Sequence, residues 1–572
     1  MSAFYDQASL VVVPSGYKSG KIYAQKPLTT DGQLSFTRST GATRVGPDGL
    51  IEKVRTNEYF KSTQMAASTL YVPYGASPTS LGTYPVYSDS LAYSIVASGP
   101  NQGFAINLSS SSSIRVLSFF SKDFGGVASQ SFYYDGTGTL ITGYATTEIV
   151  NGYTRYYVPI PASTSGLLYS RPNDNNGGTF FITAPQIENG DYPTAYISND
   201  TTASVITVGP VANVPRLDYA PTLGQSGVSC PRLNLEGQRT NLALWSESLS
   251  TAPNVVDSST VTPNAYISPD GYQNADQFTE TAANNRHGFY QYTTVTATAY
   301  TASIFTKQTG RRYIAFISDM TGTGATSFFD LQTKSVLTSG SGHTCSVQDY
   351  GNGWLRLIVS FTAAAGSKFI IWAGSPNGVN TFYAGDTSIS QTFWGYQLEA
   401  GAYATSYIPT LGAAVTRGAD DCTQADVSGL LGTATGSAFI DLVIDGPDTT
   451  GNIPLTIGTG TSNLIYMWFK TNTSIVTEFV VGGSLTGALT IPSPFFTYGT
   501  RYKVAIAWAN NDFVIYVNGV NKGTDTSGAA PTPTKLWLGQ YTSGAYKGAT
   551  INQTLLFPTR LTNAQLAELT TL

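Results

Sequence analysis

From Asn352 to Phe361 the chain reads NGWLRLIVSF, an Asn-Gly turn signal followed by strict alternation. Leu355, Leu357, Val359 and Phe361 fall on one side, and Trp354, Arg356, Ile358 and Ser360 on the other. Period-two alternation behind a turn dipeptide predicts a strand. YKVAIAWANNDFVIYVNG (Tyr502 to Gly519) predicts two strands joined by Asn510-Asn511-Asp512 and closed by Asn518-Gly519. Thr43-Arg44-Val45 and Leu50-Ile51-Glu52 flank Gly46-Pro47-Asp48-Gly49, a hairpin over a type I turn. In TFWGYQLEAG the alternation expects Trp394, Tyr396 and Leu398 on one face and Phe393 and Gln397 on the other, a strand covered on both sides. One helix is predicted near the end, in LTNAQLAELTTL. Thr562 and Gln565 form a capping box there, and Leu561 and Leu566 stand as a hydrophobic staple.

The strand pattern repeats on a larger scale. QIENGDYPTAYISN, starting at Gln186, returns as QLEAGAYATSYIPT, starting at Gln397. Upstream, LSFFSK and NGYTRYYVPI precede the first phrase as ASIFTK and NGWLRLIVSF precede the second, in the same order with different spacing. Equal order with unequal spacing means the same strands joined by loops of different length. The chain therefore divides into an N-terminal docking arm and hairpin (1–57), a β-sandwich (58–200), a Pro/Gly-rich connector (201–240), a second copy of that sandwich (241–418) and a distinct third domain (419–572). Two roles compete for the doubled phrase. In one, Gln186, Glu188, Tyr192 and Tyr196, with Gln397, Glu399, Tyr403 and Tyr407, grip a ligand. In the other they satisfy backbone groups at a closing strand, which is the expected lot of buried polar side chains. The expectation is scaffolding.

Composition agrees with all-β: 58 Gly, 36 Tyr and 27 Phe suit pleated surfaces joined by tight turns. Charged residues are 11%, with 30 Lys+Arg against 35 Asp+Glu. This weakly acidic balance gives no basic field for nucleic acid or an anionic membrane. No stretch approaches the ~18 apolar residues of a membrane span. The opening MSAFYDQASLVVVPSGYKSG lacks the basic start of a secretory signal. Cys230, Cys345 and Cys422 are odd in number and far apart, giving neither a disulfide framework nor metal spacing.

The runs SFTRSTGATRVGPDGLIEKVRTN, NVPRLDY followed by LNLEGQRTNLALWSE, and QLEAGAYATSYIPT resemble segments of tailed-bacteriophage virion proteins of the head- and tail-fibre type, such as those of crAss-like phages. This chain departs from that pattern in carrying a whole sandwich between Asn57 and Asn213. The resemblance implies carbohydrate-binding-module-like jelly rolls and a C-terminal concanavalin A-like (laminin-G-like) lectin domain. In that domain RYKVAIAWANNDFVIYVNGVNKG would be the central hairpin. It also implies a virion location, docking to other virion proteins through the N-terminal region, host-surface glycans as ligands, and a homo-oligomer, a trimer by analogy with phage fibres.

Candidate chemistry is sparse. Glycosidases need two carboxylates flanking the bond they cut. Glu478 stands alone in VTEFVV, and Asp441 and Asp445 in DLVIDG share a side without a third carboxylate. His343 and Cys345 alternate onto one face, but no elbow or orienting acid accompanies them, and His287 stands apart. The turns Asp445 to Asn452 and Asn173 to Asn176 offer oxygen ligands to Ca²⁺ without a full set, so no cofactor is expected. Tyr541 and Tyr546, in the Gly/Ser-rich loop LGQYTSGAYKG, together with Asp448, are the candidate carbohydrate contacts. The expected function is non-enzymatic attachment to host glycans. A polysaccharide depolymerase and a purely architectural subunit are the alternatives.

Overall fold

The computed structural model describes residues 2–571 apart from 30–31, 65–70, 75–77, 84–89, 98–102, 112, 123–130, 135–139, 143–144, 162–163, 172–177, 220–229, 449–450, 472 and 543–547. It is all-β, built of antiparallel sheets packed face to face. Two compact units are present: Val54–Gly209 with Pro263–Asp276, and Met1–Lys53 with Pro210–Thr262 and Gln277–Leu572.

The unit around 54–209 is one sandwich. Its six-stranded sheet runs Ala145–Val150, Tyr153–Ile160, Arg115–Lys122, Gly178–Asn189, Leu91–Ala97, Pro78–Thr83. The second sheet includes Ser131–Tyr134, Gly166–Arg171 and Gly103–Leu108. Alternate residues of both, among them Ile95, Phe104, Ile106, Leu117, Phe119, Val158 and Ile182, form the core.

The larger unit holds two sandwiches. In the first, Gly288–Val295, Gly366–Ser375, Tyr313–Ser318 and Ala325–Asp330 belong to one sheet, and Ser390–Ala400, Ala299–Lys307, Trp354–Thr362 and His343–Asp349 to the other. Leu355, Leu357, Val359 and Phe361 point into its core, as the alternation predicts. The expected faces of TFWGYQLEAG need correction. Gly395 and Tyr396 together oppose the single Ile304, a β-bulge that shifts the alternation by one residue. Phe393, Tyr396 and Leu398 therefore share the core face. Trp394 turns to the other side, where it meets Phe305 and Tyr407 at 5.3 and 4.7 Å between ring centres. The same bulge recurs in the other unit, where Ala184 and Pro185 oppose Phe119.

The C-terminal sandwich draws on the whole chain. Gly436–Val443, Arg501–Ala509, Asp512–Val517 and Val520–Asp525 run side by side next to Ala549–Phe557. The turns at Asn511 and at Asn518-Gly519 take positive φ, which Asn and Gly tolerate. The free edge of Ala549–Phe557 is shared by two strands from elsewhere. Arg232–Leu235 pairs with residues 549–551, and Leu10–Val12 with residues 554–556. Opposite lies a nine-stranded sheet in which Leu34–Thr37 pairs with Asp421–Gln424, and that strand with Lys535–Leu538. Asn452–Gly458, Leu464–Phe469, Ile475–Val481 and Ser484–Ile491 follow. The expected separate docking arm over 1–57 is thus corrected in part. Leu10, Val12, Ile22, Leu34 and Phe36 belong to the core of this sandwich, because each short segment has its own apolar positions to bury. Leu217 and Leu233 of the connector join the same core.

The hairpin pairs Thr43–Val45 with Ile51–Lys53, with Gly49 at φ 81°. The helix Asn563–Thr571 starts at Thr562, where Gln565 Oε1 accepts the Thr562 amide at 2.9 Å and Thr562 Oγ1 accepts that of Gln565 at 3.3 Å. A second short helix, Ser2–Gln7, was not signalled by the sequence. Both helices send side chains (Phe4, Leu566, Leu569) onto the outer apolar residues of the eight-stranded sheet.

Candidate functional site

The doubled phrase is buried. Glu399 is fully enclosed and accepts the Thr405 amide at 2.9 Å, the Thr405 hydroxyl at 2.6 Å and Gln397 Nε2 at 2.7 Å. Gln397 Oε1 accepts the Ile408 amide at 2.7 Å. The other copy repeats each contact. Glu188 takes the Thr194 amide (2.8 Å) and hydroxyl and Gln186 Nε2 (2.7 Å), and Gln186 takes the Ile197 amide (2.6 Å). Burial raises the pKa of Glu188, and the bonds from Thr194 and Gln186 offset part of that rise. Tyr407 hydroxyl meets Ser246 Oγ at 2.7 Å, as Tyr196 meets Ser62 Oγ at 2.8 Å. Tyr403 is buried under Arg239, and Tyr192 packs edge-on against Tyr157. Through these bonds Gln186, Glu188 and Tyr196, and likewise Gln397, Glu399 and Tyr407, hold the exit of each sandwich to its last strand.

The residues that sequence reasoning overlooked in this network are Asn57 and Asn241. Asn241 Nδ2 donates to the Ile408 carbonyl (2.8 Å), and its Oδ1 accepts the amides of Ala243 and Leu398 (both 3.0 Å). Asn57 does the same with Ile197, Tyr59 and Ile187. The signal was the tripeptide Arg-Thr-Asn, written at 55–57 and again at 239–241.

A binding surface is better supported on the outer face of the nine-stranded sheet. In Leu464–Phe469, Ile465, Met467 and Phe469 enter the core. Alternation turns Tyr466 and Trp468 to the opposite side, where both are half-buried. Tyr541, from the loop after Lys535–Leu538, meets Tyr466 edge-on, 5.1 Å between ring centres. Tyr466 hydroxyl donates to Glu478 Oε2 on the neighbouring strand. Burial, then the bond to Glu478, raises the Tyr466 pKa, so the phenol keeps its proton. Lys470 lies 4.5 Å over the Trp468 ring and Lys535 4.8 Å over Trp537. Aromatic faces beside a carboxylate and two ammonium donors, on an open sheet face, suit a ligand with apolar C–H faces and many hydroxyls. Sequence reasoning missed Tyr466 and Trp468; the signal that could have pointed to them is the pair of aromatics two apart in LIYMWF.

Of the candidate contacts, Tyr541 joins this face, and Tyr546 lies outside the described residues. Asp448 sits in the turn after Gly436–Val443, where its charge is felt by Tyr403 and Tyr498. Asn173 to Asn176 also lie outside the described residues. Asp441 is held by Arg501 through two bonds (2.7 and 2.5 Å) and by Asn552 at 3.0 Å. His343 and Cys345 converge on one hydroxyl: His343 Nδ1 lies 2.8 Å from Ser327 Oγ and Cys345 Sγ 3.3 Å from it. Burial lowers the His343 pKa and raises that of Cys345, which favours the neutral forms of both. His287 Nδ1 is 2.6 Å from the Ser258 carbonyl. Among the described residues no three His, Cys, Asp or Glu side chains come together as metal ligands.

No family model matches the chain, and no curated protein does. Solved structures similar to it include the carbohydrate-binding module of a Ruminococcus gnavus IT-sialidase bound to α2,3-sialyllactose. That match has 16% identity over 26% of this chain and 91% of that one, with a TM-score of 0.23. A SAP-like pentraxin from Limulus polyphemus is 14% identical over 24% of this chain and 69% of that one, TM-score 0.20. Domain 4 of an extracellular arabinanase from Geobacillus stearothermophilus, in complex with arabinotriose, is 19% identical over 30% and 80%, TM-score 0.20. At these scores the likenesses carry no argument about ligand or site.

Proposed function

We propose that this chain is a non-enzymatic carbohydrate-attachment protein, displayed on the exterior of a tailed-phage virion as a head- or tail-fibre component. The observation that carries the binding part is the outer sheet face with Tyr466, Trp468, Tyr541 and Glu478 on one concanavalin A-like sandwich. The resemblance of the SFTRSTG, NVPRLDY and QLEAGAYATSYIPT phrases to virion proteins supports the setting. Attachment in place of turnover is supported by the carboxylates on the two outer faces. Asp441 is tied to Arg501 and Glu478 to Tyr466, so these two carboxylates are not poised as an acid–base pair across a bond. Several copies around one axis would turn weak sugar contacts into firm attachment.

A glycan array probed with the full chain tests the binding reading. Binding to at least one host-surface glycan is expected, with a loss of about tenfold or more in Tyr466→Ala or Trp468→Ala. An array blank at every sugar, or binding indifferent to both substitutions, overturns it. Release of reducing ends from host capsule would replace attachment by hydrolysis.

A further inference from the structure

A polar cleft of about 480 Å³ lies elsewhere in the larger unit. Its walls come from the hairpin (Thr43, Arg44, Val45), the connector (Asp218, Arg232, Asn234), the strand His343–Asp349 and the turn carrying Asp445. The volume falls within the range of small-molecule sites.

Acceptors dominate the lining. Asp218 takes the Val45 amide at 2.9 Å and Asn234 Nδ2 at 2.6 Å. Asn234 is 7% exposed and its Oδ1 has no partner among the described residues, an unmet acceptor in a polar wall. Asp445 opens onto the cleft and receives the Thr550 hydroxyl at 3.0 Å. Arg232 forms no hydrogen bond or ion pair among the described residues and supplies a free donor at the same wall. The acceptors do not converge as an ion requires, since no three carboxylates or imidazoles meet among the described residues. Spaced acceptors beside the Arg232 guanidinium, with Arg44 and Arg356 also in the walls, instead suit the hydroxyls of a sugar ring, spread around its edge.

We propose that this cleft is a saccharide-binding site, separate from the outer aromatic face, which takes one sugar residue through hydrogen bonds from its hydroxyl or amino groups to Asp445, Asp218 and Asn234. The wall is pre-arranged, since Asp218 is already held by the Val45 amide and Asn234 Nδ2, so little ordering opposes binding. Asp445 stays open to solvent, but the protein packed around its carboxyl raises its pKa to about 7; the nearby Glu236 and Asp218 charges add to the rise, and Thr550 and Arg232 act against it. Hydrogen bonds to a charged acceptor are the stronger ones. Affinity therefore increases as pH rises through about 7 and Asp445 ionises.

The test is saturation-transfer NMR and calorimetry on the full chain, with methyl glucoside and glucosamine as probes. At pH 8 at least one probe is expected to bind, about tenfold or more weaker in Asp445→Asn, with wild-type affinity declining toward pH 6 and that decline missing from the variant. Equal affinity for both probes assigns recognition to hydroxyls; a preference for glucosamine assigns it to the amine, and both outcomes support the site. Arg232→Ala, at the cleft edge, is expected to weaken binding several-fold and serves if Asp445→Asn fails to fold. Tyr466→Ala separates the two sites, because it removes binding at the outer face and leaves the cleft unaffected. No contact from either probe up to about 50 mM, full affinity in both cleft variants, or loss in Tyr466→Ala overturns the proposal.

Discussion

At the scale of single residues, the two bulges form a natural pair. Gly395 has φ 66° and its counterpart Ala184 has φ 50°, both in the left-handed region. A β-carbon at Gly395 would meet Phe305 Cδ2 at 2.8 Å, and Phe305 is fully buried, so the ring has little room to yield. Gly395→Ala is expected to destabilise its sandwich by on the order of 2 kcal/mol, the left-handed penalty plus the contact. The converse change differs. Ala184→Gly relieves about 1 kcal/mol of backbone strain and loses a methyl buried beside Phe120 and Tyr153, about 0.8 kcal/mol. It is expected to be near neutral. Denaturant midpoints of the two variants check this; equal effects would mean that the bulges are not equivalent. A second residue-scale outcome concerns Asp445. A carboxyl whose folded pKa lies above its unfolded value of 3.8 favours the folded state at low pH and costs stability as pH rises toward about 7. Asp445→Asn is expected to leave melting unchanged at pH 4 and raise it at pH 8.

At the scale of elements, legibility depended on length and turn chemistry. Strands of six or more residues behind Asn-Gly or Asn-Asn turns, such as Trp354–Thr362 and Arg501–Ala509, announce themselves by alternation. Leu10–Val12 and Leu34–Thr37 are too short to show a period, and their pairing is set by edges offered more than 380 residues away, so they read as an arm. The bulge at Gly395 defeated the face assignment because a local rule of two was applied across an extra residue. The outer binding face was half legible. Tyr541 stood out as a loop aromatic, while Tyr466 and Trp468 read as ordinary strand residues until the core side was known. The misread arm gives a direct test. Leu10, Val11 and Val12 are buried, at about 1.5–3 kcal/mol each. Deleting residues 2–13 is expected to lower the melting temperature of the C-terminal sandwich and expose dye-binding apolar surface. A free docking arm would come off with neither change.

At the scale of the whole molecule, the segments around SFTRSTG, NVPRLDY and QLEAGAYATSYIPT meet inside the larger unit. Arg38, Arg216 and Arg417 are all buried, and they face Asp420, Glu236 and Asp218 across strands drawn from the N-terminal segment, the connector and the exit of a sandwich. Arg38 reaches Asp420 at 3.1 Å, Arg216 bonds both Asp420 and Glu236 (2.7 Å to the latter), and Arg417 lies 2.6 Å from Glu236. Burial alone would raise the Glu236 pKa, but Arg417 and Arg216 overcome it and hold the carboxyl well below its ordinary 4.5. A folded-state pKa below the unfolded one gives stability that is present above about pH 4.5 and lost as pH falls below it. Such a network is a poor source of net stability compared with apolar packing, yet costly to break from one side. Arg216→Met would leave Glu236 and Asp420 with one guanidinium each and is expected to destabilise the larger unit by about 3–5 kcal/mol. Its acid-side loss should still begin near pH 4.5, where the unfolded carboxyl protonates, but be smaller and end at higher pH, because Glu236 then protonates more readily in the folded chain. Arg417→Lys keeps the charge but loses the planar fork, so a smaller cost with an acid loss of nearly wild-type size is expected. Calorimetry between pH 3 and pH 7 distinguishes the two. If Arg216→Met melts as wild type across that range, the ion network is incidental, and the apolar core shared by the N-terminal strands and the connector holds these segments together.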